Sequence, residues 1–192
     1  MEYKEKITKQ RFIAAIIDVL ITATGIFIAV AILSAILGVE ISTETPLDLT
    51  QTNHVVFTVM RNIIAVTIVI LYYGYFPSIR NGQTYGKKTQ KIKVVNLQLE
   101  TPSWYTLSLR NIIWWGSYLY ILFIPLMLIN VNAYNIIENI ASYIIFGVVL
   151  VSLISIIVNP SVGGIHDQIF KTIVVHENYP PKSKTNEYIE SE

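Results

Sequence analysis

At 192 residues the chain has the length of one domain, yet 53% of it is hydrophobic and only 14% charged, against about 25% charged in ordinary globular chains. The net charge of +1 identifies no partner, so the basic and acidic residues are informative only through where they fall. There is no cysteine, which excludes disulfides, a thiol nucleophile and cysteine-ligated metal.

Residues 1–10 form a basic N-terminal segment, with Lys4, Lys6 and Lys9 leading into Arg11. The apolar run behind them is too long for the core of a signal peptide, and no small-x-small cleavage site followed by a soluble domain comes after it. It is read as a retained helix from Phe12 to Leu37. Four stretches, near 13–37, 63–79, 112–129 and 140–158, carry a single charge between them, Asp18. A bilayer-spanning helix needs about 20 mostly apolar residues, and each stretch is close to that.

The first connection, Gly38 to Asn53, holds Glu40, Glu44 and Asp48 with no Lys or Arg. A second helix is expected from Val55 or Met60 to Ile79. The next connection holds Arg80, Lys87, Lys88, Lys91, Lys93 and Arg110 against one acid, Glu100. A third helix is expected over about Asn111 to Ile129. A short loop through Asn130, Asn132, Asn135 and Glu138 then leads to a fourth, from about Ile140 to Val158. Lys and Arg near helix ends collect on the cytoplasmic side, which places both termini and the 80–110 connection there. Residues 176–192 are polar and expected to be a disordered cytoplasmic tail.

Between the helices, Lys91 to Leu99 partly alternates apolar with polar, a strand signal. Lys171-Thr172-Ile173-Val174-Val175 reads similarly, and both runs follow a glycine-containing turn. They either pair as a small sheet or lie separately along the interface. The expected fold is thus an all-α membrane protein, a four-transmembrane-helix bundle with a small cytoplasmic β element. An Arg before helices 1 and 3, and a Gly-rich turn with a Val-Val strand after each helix pair, hint at a repeat such as transporters contain. The match is short and gapped, and is set down to coincidence.

Asp18 is the residue of most interest. It follows Arg11 by seven residues, about 10 Å and nearly two full turns, so the two share a helix face. A carboxylate at that depth costs roughly 2.5–3.5 kcal/mol on insertion scales. It is either an ion or proton site, or a structural anchor paired with Arg110 or Arg11. Ala14 and Ala15 beside it would let another helix approach closely. Arg61 counts to the outer boundary, where its side chain can snorkel, and His54 is read as interfacial. His166-Asp167 could supply a base or metal ligand, or Asp167 could cap a turn or pair with a basic residue. The three histidines lack ligand spacing and no catalytic motif occurs, so no enzyme activity, metal or cofactor is expected. Trp104, Trp114 and Trp115, with Tyr72, Tyr73 and Tyr75, fit an aromatic belt at the cytoplasmic helix ends. Lys87, Lys88, Lys91 and Lys93 form a basic loop facing anionic headgroups. No nucleic-acid module is visible.

Several of these pieces resemble the RDD family of bacterial membrane proteins, named for one arginine and two aspartates. Arg11-Phe12-Ile13-Ala14-Ala15-Ile16-Ile17-Asp18 is similar to its opening, with the arginine at the helix start and the first aspartate within. Gly82-Gln83-Thr84-Tyr85-Gly86-Lys87-Lys88, with Ile92-Lys93-Val94-Val95, resembles its Gly-x-Thr-x-Gly-Lys segment and strand. Arg110-Asn111 is similar to the opening of its next helix. Gly164-Ile165-His166-Asp167 with Lys171 to Val175 resembles its closing turn and strand, which makes Asp167 the second aspartate. Gln168-Ile169-Phe170 departs from the expected Leu-x-Ala-Gly. The resemblance covers 11–175.

The resemblance implies a transmembrane domain over 11–175 and one of two roles. Family members have been proposed as transporters, some linked to sodium–proton exchange, and others as membrane partners of secretion, protease or stress systems. In the first role Asp18 and Asp167 would bind a cation or proton, and a homo-oligomer or membrane protein partner would complete the pathway. In the second, Arg11, Asp18, Arg110 and Asp167 only hold the bundle together, and the basic loop docks a partner or lipid. Frequent Ile, Asn, Lys and Tyr point to a low-GC bacterium and its plasma membrane.

Overall fold

The described residues fold as three long apolar helices gathered at one end onto a small α/β platform. The computed structural model describes residues 2–39, 52–112, 130–158 and 164–179. Helix α1 spans Glu2–Leu37, so the basic N-terminal segment is its first turns rather than a separate strand of chain. The Lys, Glu and Gln residues there are strong helix formers, and nothing in the run breaks the propagation into the apolar stretch. Ala14, Asp18 and Thr22 recur every four residues and are buried, whereas Phe12, Ile16, Leu20, Phe27, Ile32 and Ile36 are exposed. A helix that is apolar outside and polar inside inverts the soluble pattern and suits a lipid surround.

Helix α2 spans Thr52–Ile70, then continues as a π-helical turn, Leu71–Tyr75, and a last α-helical turn α3, Phe76–Ile79. Thr58, Asn62, Ala65, Val69 and Tyr73 line its buried face. Pro77 explains the π turn. Proline has no N–H to offer the carbonyl of Tyr73, four residues back, and its ring crowds that carbonyl. The helix widens, so that Phe76 N–H donates to Leu71 O, and the stranded Tyr73 carbonyl accepts from Asn111 Nδ2 at 3.4 Å. At the far end of the helix pair, Val30, Val39 and Phe57 form an apolar cluster with Ile26, Leu33 and Leu37.

After α3 the chain reverses through Asn81 and Gly82, both with positive φ. Gly82 N–H reaches back to Pro77 O at 2.8 Å, a six-to-one bond that closes the helix end. A Cβ at Gly82 would stand 2.0 Å from Val94 O. There follow a short helix α4, Tyr85–Thr89, strand β1, Ile92–Asn96, and helix α5, described over Trp104–Ile112. Arg110 therefore lies within α5, two turns past its start. The expected third span, Asn111–Ile129, falls outside the described residues beyond 112.

Helix α6, Val131–Val158, begins nine residues before the expected Ile140. Asn130 starts it, its Oδ1 accepting from Ala133 N at 3.1 Å, as an N-cap does. The short helix α7, Ile165–Ile169, and strand β2, Thr172–His176, complete the described chain. The expected tail lies outside the described residues from 180 onward. Among the described residues, three helices are long and apolar enough to cross a membrane: Ile7–Leu37, Asn53–Ile79 and Asn139–Ile156.

The two strands pair with each other, antiparallel, with Val94 opposite Val174. Helix α4 and strand β1 stand 80 positions before α7 and β2, residue for residue, from Tyr85 and Ile165 to Asn96 and His176. Lys91 and Lys171, at the same place in each unit, both adopt left-handed φ, 54° and 49°. Equivalent valines facing one another are what a local two-fold axis through the sheet requires. The platform thus carries one helix–strand backbone pattern twice.

Candidate functional site

The platform seats on α1 at its closest where Gly86 meets Ala14. A Cβ at Gly86 would lie 2.3 Å from Ala14 O and 2.7 Å from Asp18 Oδ1, so only glycine permits this approach. The contact brings the first turn of α4 onto the Asp18 carboxyl group. Oδ1 accepts from Gly86 N at 2.8 Å and from Tyr72 Oη at 2.7 Å, and Oδ2 from Thr84 Oγ1 at 2.5 Å. Thr84 is also the N-cap of α4, and backbone N–H groups at a helix start favour a carboxyl group. One turn on, Thr22 Oγ1 donates to Asp18 O at 2.6 Å and lies 3.2 Å from Tyr73 Oη. Asp18 is 2% exposed.

The arginines go elsewhere. Arg110 donates to Asp167 Oδ1 through Nε and an Nη atom, at 2.9 and 2.6 Å, and Arg11 donates to Oδ2 at 2.6 Å. Neither pairs with Asp18, which corrects the expectation that Arg110 or Arg11 anchors it. Facing the same side of a helix decides what a residue can see, but the partner is chosen by what packs there. Asp167 also accepts from Gly164 N at 3.2 Å, capping α7, and from Thr172 Oγ1 at 3.3 Å. Burial by itself would raise its pKa, but Arg110 and Arg11 outweigh this and hold the carboxyl well below the usual carboxylate range.

His166 is turned to the interior. Its Nδ1 lies 2.9 Å from Ser152 Oγ on α6 and its Nε2 3.6 Å from Asp167 Oδ2. Burial, with Arg110 close by, pushes its pKa down to about 3, so the ring is neutral at physiological pH. No group of three or more His, Asp and Glu with metal-holding geometry occurs among the described residues.

Of the four basic-loop lysines, Lys88 and Lys91 are exposed and Lys93 is half-buried, its Nζ 3.3 Å from Tyr179 O. Lys87 does not face outward with them. It is half-buried beside Thr84 Oγ1, 3.4 Å from its Nζ. Burial, only partly offset by Asp18 and Asp167, brings it down to about 8. In the twice-used helix–strand pattern Lys87 and Asp167 hold equivalent positions, so the two halves present opposite charges to the same centre.

A cavity of about 820 Å³ opens beside this cluster, lined among others by Lys9, Arg11, Asp18, Lys87, Arg110 and His166. The belt reading accounts for Tyr75 and Trp104, which are exposed, but Tyr72 serves Asp18 and Tyr73 is buried. Trp114 and Trp115 lie outside the described residues. Arg61 is exposed and His54 half-buried, both far along the chain from the cluster. Sequence reasoning did not single out Tyr72, Thr84, Gly86, Ser152 or Thr172 as partners. The one signal, and only for Thr84 and Gly86, was the Gly-x-Thr-x-Gly-Lys segment, whose hydroxyl and backbone N–H both go to Asp18.

The family model described as the RDD family matches residues 8–171. No curated protein and no solved structure matches the chain.

Proposed function

The chain belongs to the RDD family of membrane proteins, and from that premise we propose that it is a non-transporting, non-enzymatic membrane adaptor. Its α4–β1–α7–β2 platform faces the cytoplasm and docks a partner, while Arg11, Asp18, Arg110 and Asp167 lock the platform to the helices. The orientation follows from the basic residues of the N-terminal turns and the 80–110 connection, and a bacterial plasma membrane is the expected site. One observation carries the reading: the oxygens of both acids are taken up by donors of the protein itself. Asp18 accepts from three donors and Asp167 from two guanidinium groups, a backbone N–H and a hydroxyl. A transported cation needs oxygen lone pairs, and here donors occupy three of about four sites on Asp18 and all of those on Asp167. The donors come from separate elements, α1, α4, α5 and the turn before α7 among them, so both acids tie the platform to the helices.

The transport reading has one observation in its favour, that the cavity reaches Asp18. It would need an oligomer or a second protein to complete a path. Purified protein in sealed vesicles separates the two. The adaptor reading expects sodium and proton gradients to decay no faster than in empty vesicles. Gradient dissipation by the wild type that Asp18→Asn abolishes would establish transport instead.

A further inference from the structure

The cavity beside the charge cluster is built of two unlike parts. At the platform end stand Lys9, Arg11, Lys87 and Arg110, with Asp18 the one acid on its wall among the described residues. Arg11 and Arg110 are committed to Asp167, and Asp18 is committed to its three donors. Lys87 is different. Among the described residues no carboxylate lies within ion-pair distance of it, and its hydrogen bond to Thr84 is long at 3.4 Å. A half-buried ammonium with no anion in direct contact is costly to maintain, and Asp18 and Asp167, acting at longer range, only partly offset the burial.

The rest of the wall is apolar and comes from the membrane-crossing helices. Phe12, Ala15 and Val19 belong to the Ile7–Leu37 span and Ile156 to the Asn139–Ile156 span. Phe12 and Val19 are largely exposed, so the wall is continuous with the surface that lipid covers. The volume falls in the range of about 300–1,000 Å³ typical of ligand sites. The occupant is therefore amphipathic, anionic at the platform end and apolar along the helices. A free anion would leave the apolar wall unmatched, and a neutral lipid would leave Lys87 unmatched.

We propose that this cavity holds one anionic phospholipid, its phosphate on Lys87 and an acyl chain along Phe12, Val19 and Ile156. Basic pockets between membrane helices bind such headgroups by this chemistry. The site goes beyond the adaptor reading and is tested by binding rather than by flux, so either can fail alone.

The test uses the full chain purified in neutral detergent. Phosphatidylglycerol is titrated in, against phosphatidylcholine with the same acyl chains and against inorganic phosphate. Binding is followed by thermal melting and by native mass spectrometry. Phosphatidylglycerol is expected to raise the melting temperature and give a one-lipid adduct, while the other two do neither. Lys87→Met is expected to weaken phosphatidylglycerol binding roughly tenfold or more, as losing one charge-assisted contact does. Lys88→Met, on the exposed loop, is expected to leave it unchanged. Ala15→Trp fills the apolar wall from an exposed helix position, tests the cavity without touching the charges, and is expected to weaken binding too. Equal shifts by the two lipids, an equal shift by inorganic phosphate, full binding by both Lys87→Met and Ala15→Trp, or equal losses in Lys87→Met and Lys88→Met would each overturn the proposal.

Discussion

Arg11 and Asp167 meet at 2.6 Å across 156 residues of chain. The contact ties the first turns of α1 to the last short helix, and Arg110 closes the same carboxylate from α5. Three elements remote in sequence are thereby held at one buried point.

Removing one arginine of that triad takes donors from the buried Asp167 carboxylate, while the other arginine keeps it paired. Arg110→Ala is expected to cost about 1.5–3 kcal/mol of stability, the worth of a hydrogen bond to a charged group, read from unfolding in detergent. Arg11→Ala should cost less, since Arg11 makes one contact to the two of Arg110 and its side chain is more exposed, 12% against 5%. Equal losses would show that the two arginines do not divide the carboxylate as the geometry has it.

Asp18→Asn turns an acceptor into a group carrying an N–H₂ that faces donors. A loss of about 1–3 kcal/mol is expected, the desolvation cost of donors left unpaired. Tyr72→Phe removes one of the same bonds, so the double variant should lose less than the sum of the singles. Strict additivity in the unfolding measurements would mean that Tyr72 does not serve Asp18.

Gly86→Ala places a methyl group against the Ala14 carbonyl and the Asp18 carboxyl group. Overpacking of this kind costs about 1–3 kcal/mol, and here it also pushes α4 off α1. The variant should melt earlier, and should expose the 82–89 segment to limited proteolysis in detergent.

Stability should depend on pH in a direction set by His166. Its folded pKa, about 3, lies below the ordinary 6.5. Between those values the unfolded chain binds the proton and the folded chain does not, so stability falls as pH drops from 6.5 toward 3. Asp167, held below its ordinary 3.8, adds stability that is lost only at lower pH, as the folded carboxylate is finally protonated. At the alkaline side Lys87, at about 8 against 10.5, acts in the same direction: stability rises from pH 8 to 10.5, where the unfolded chain keeps the proton that the folded chain has given up. Melting curves of the wild type and of His166→Gln should differ in slope across pH 3–6.5 and run parallel above it.

Much of the architecture was legible along the chain. Hydropathy marked the spans that the described residues contain, because crossing a bilayer is a requirement each segment meets by itself. The Val-Val strands were legible too, and their pairing was one of two open readings. The helix ends were read less well. Charged residues 2–10 continue α1 because lysine, glutamate and glutamine propagate a helix as well as apolar residues do. The polar run 131–138 reads as a loop, yet Asn130 caps it into α6. Pro77 was passed over, although its missing N–H is what opens the π turn and sends the Tyr73 carbonyl to Asn111.

By itself the amino-acid sequence determines which stretches can live in lipid, where the charges stand, and which four charged residues have to find partners. Those are sums over neighbouring residues, and no folding back is needed to make them. The partner of each charge was decided only by the tertiary structure. Whether Arg11 meets Asp18, seven residues away, or Asp167, at the far end of the chain, depends on how close α4 comes to α1 and on the strand register that places α7. A glycine at position 86 and a valine facing a valine across the sheet settle both.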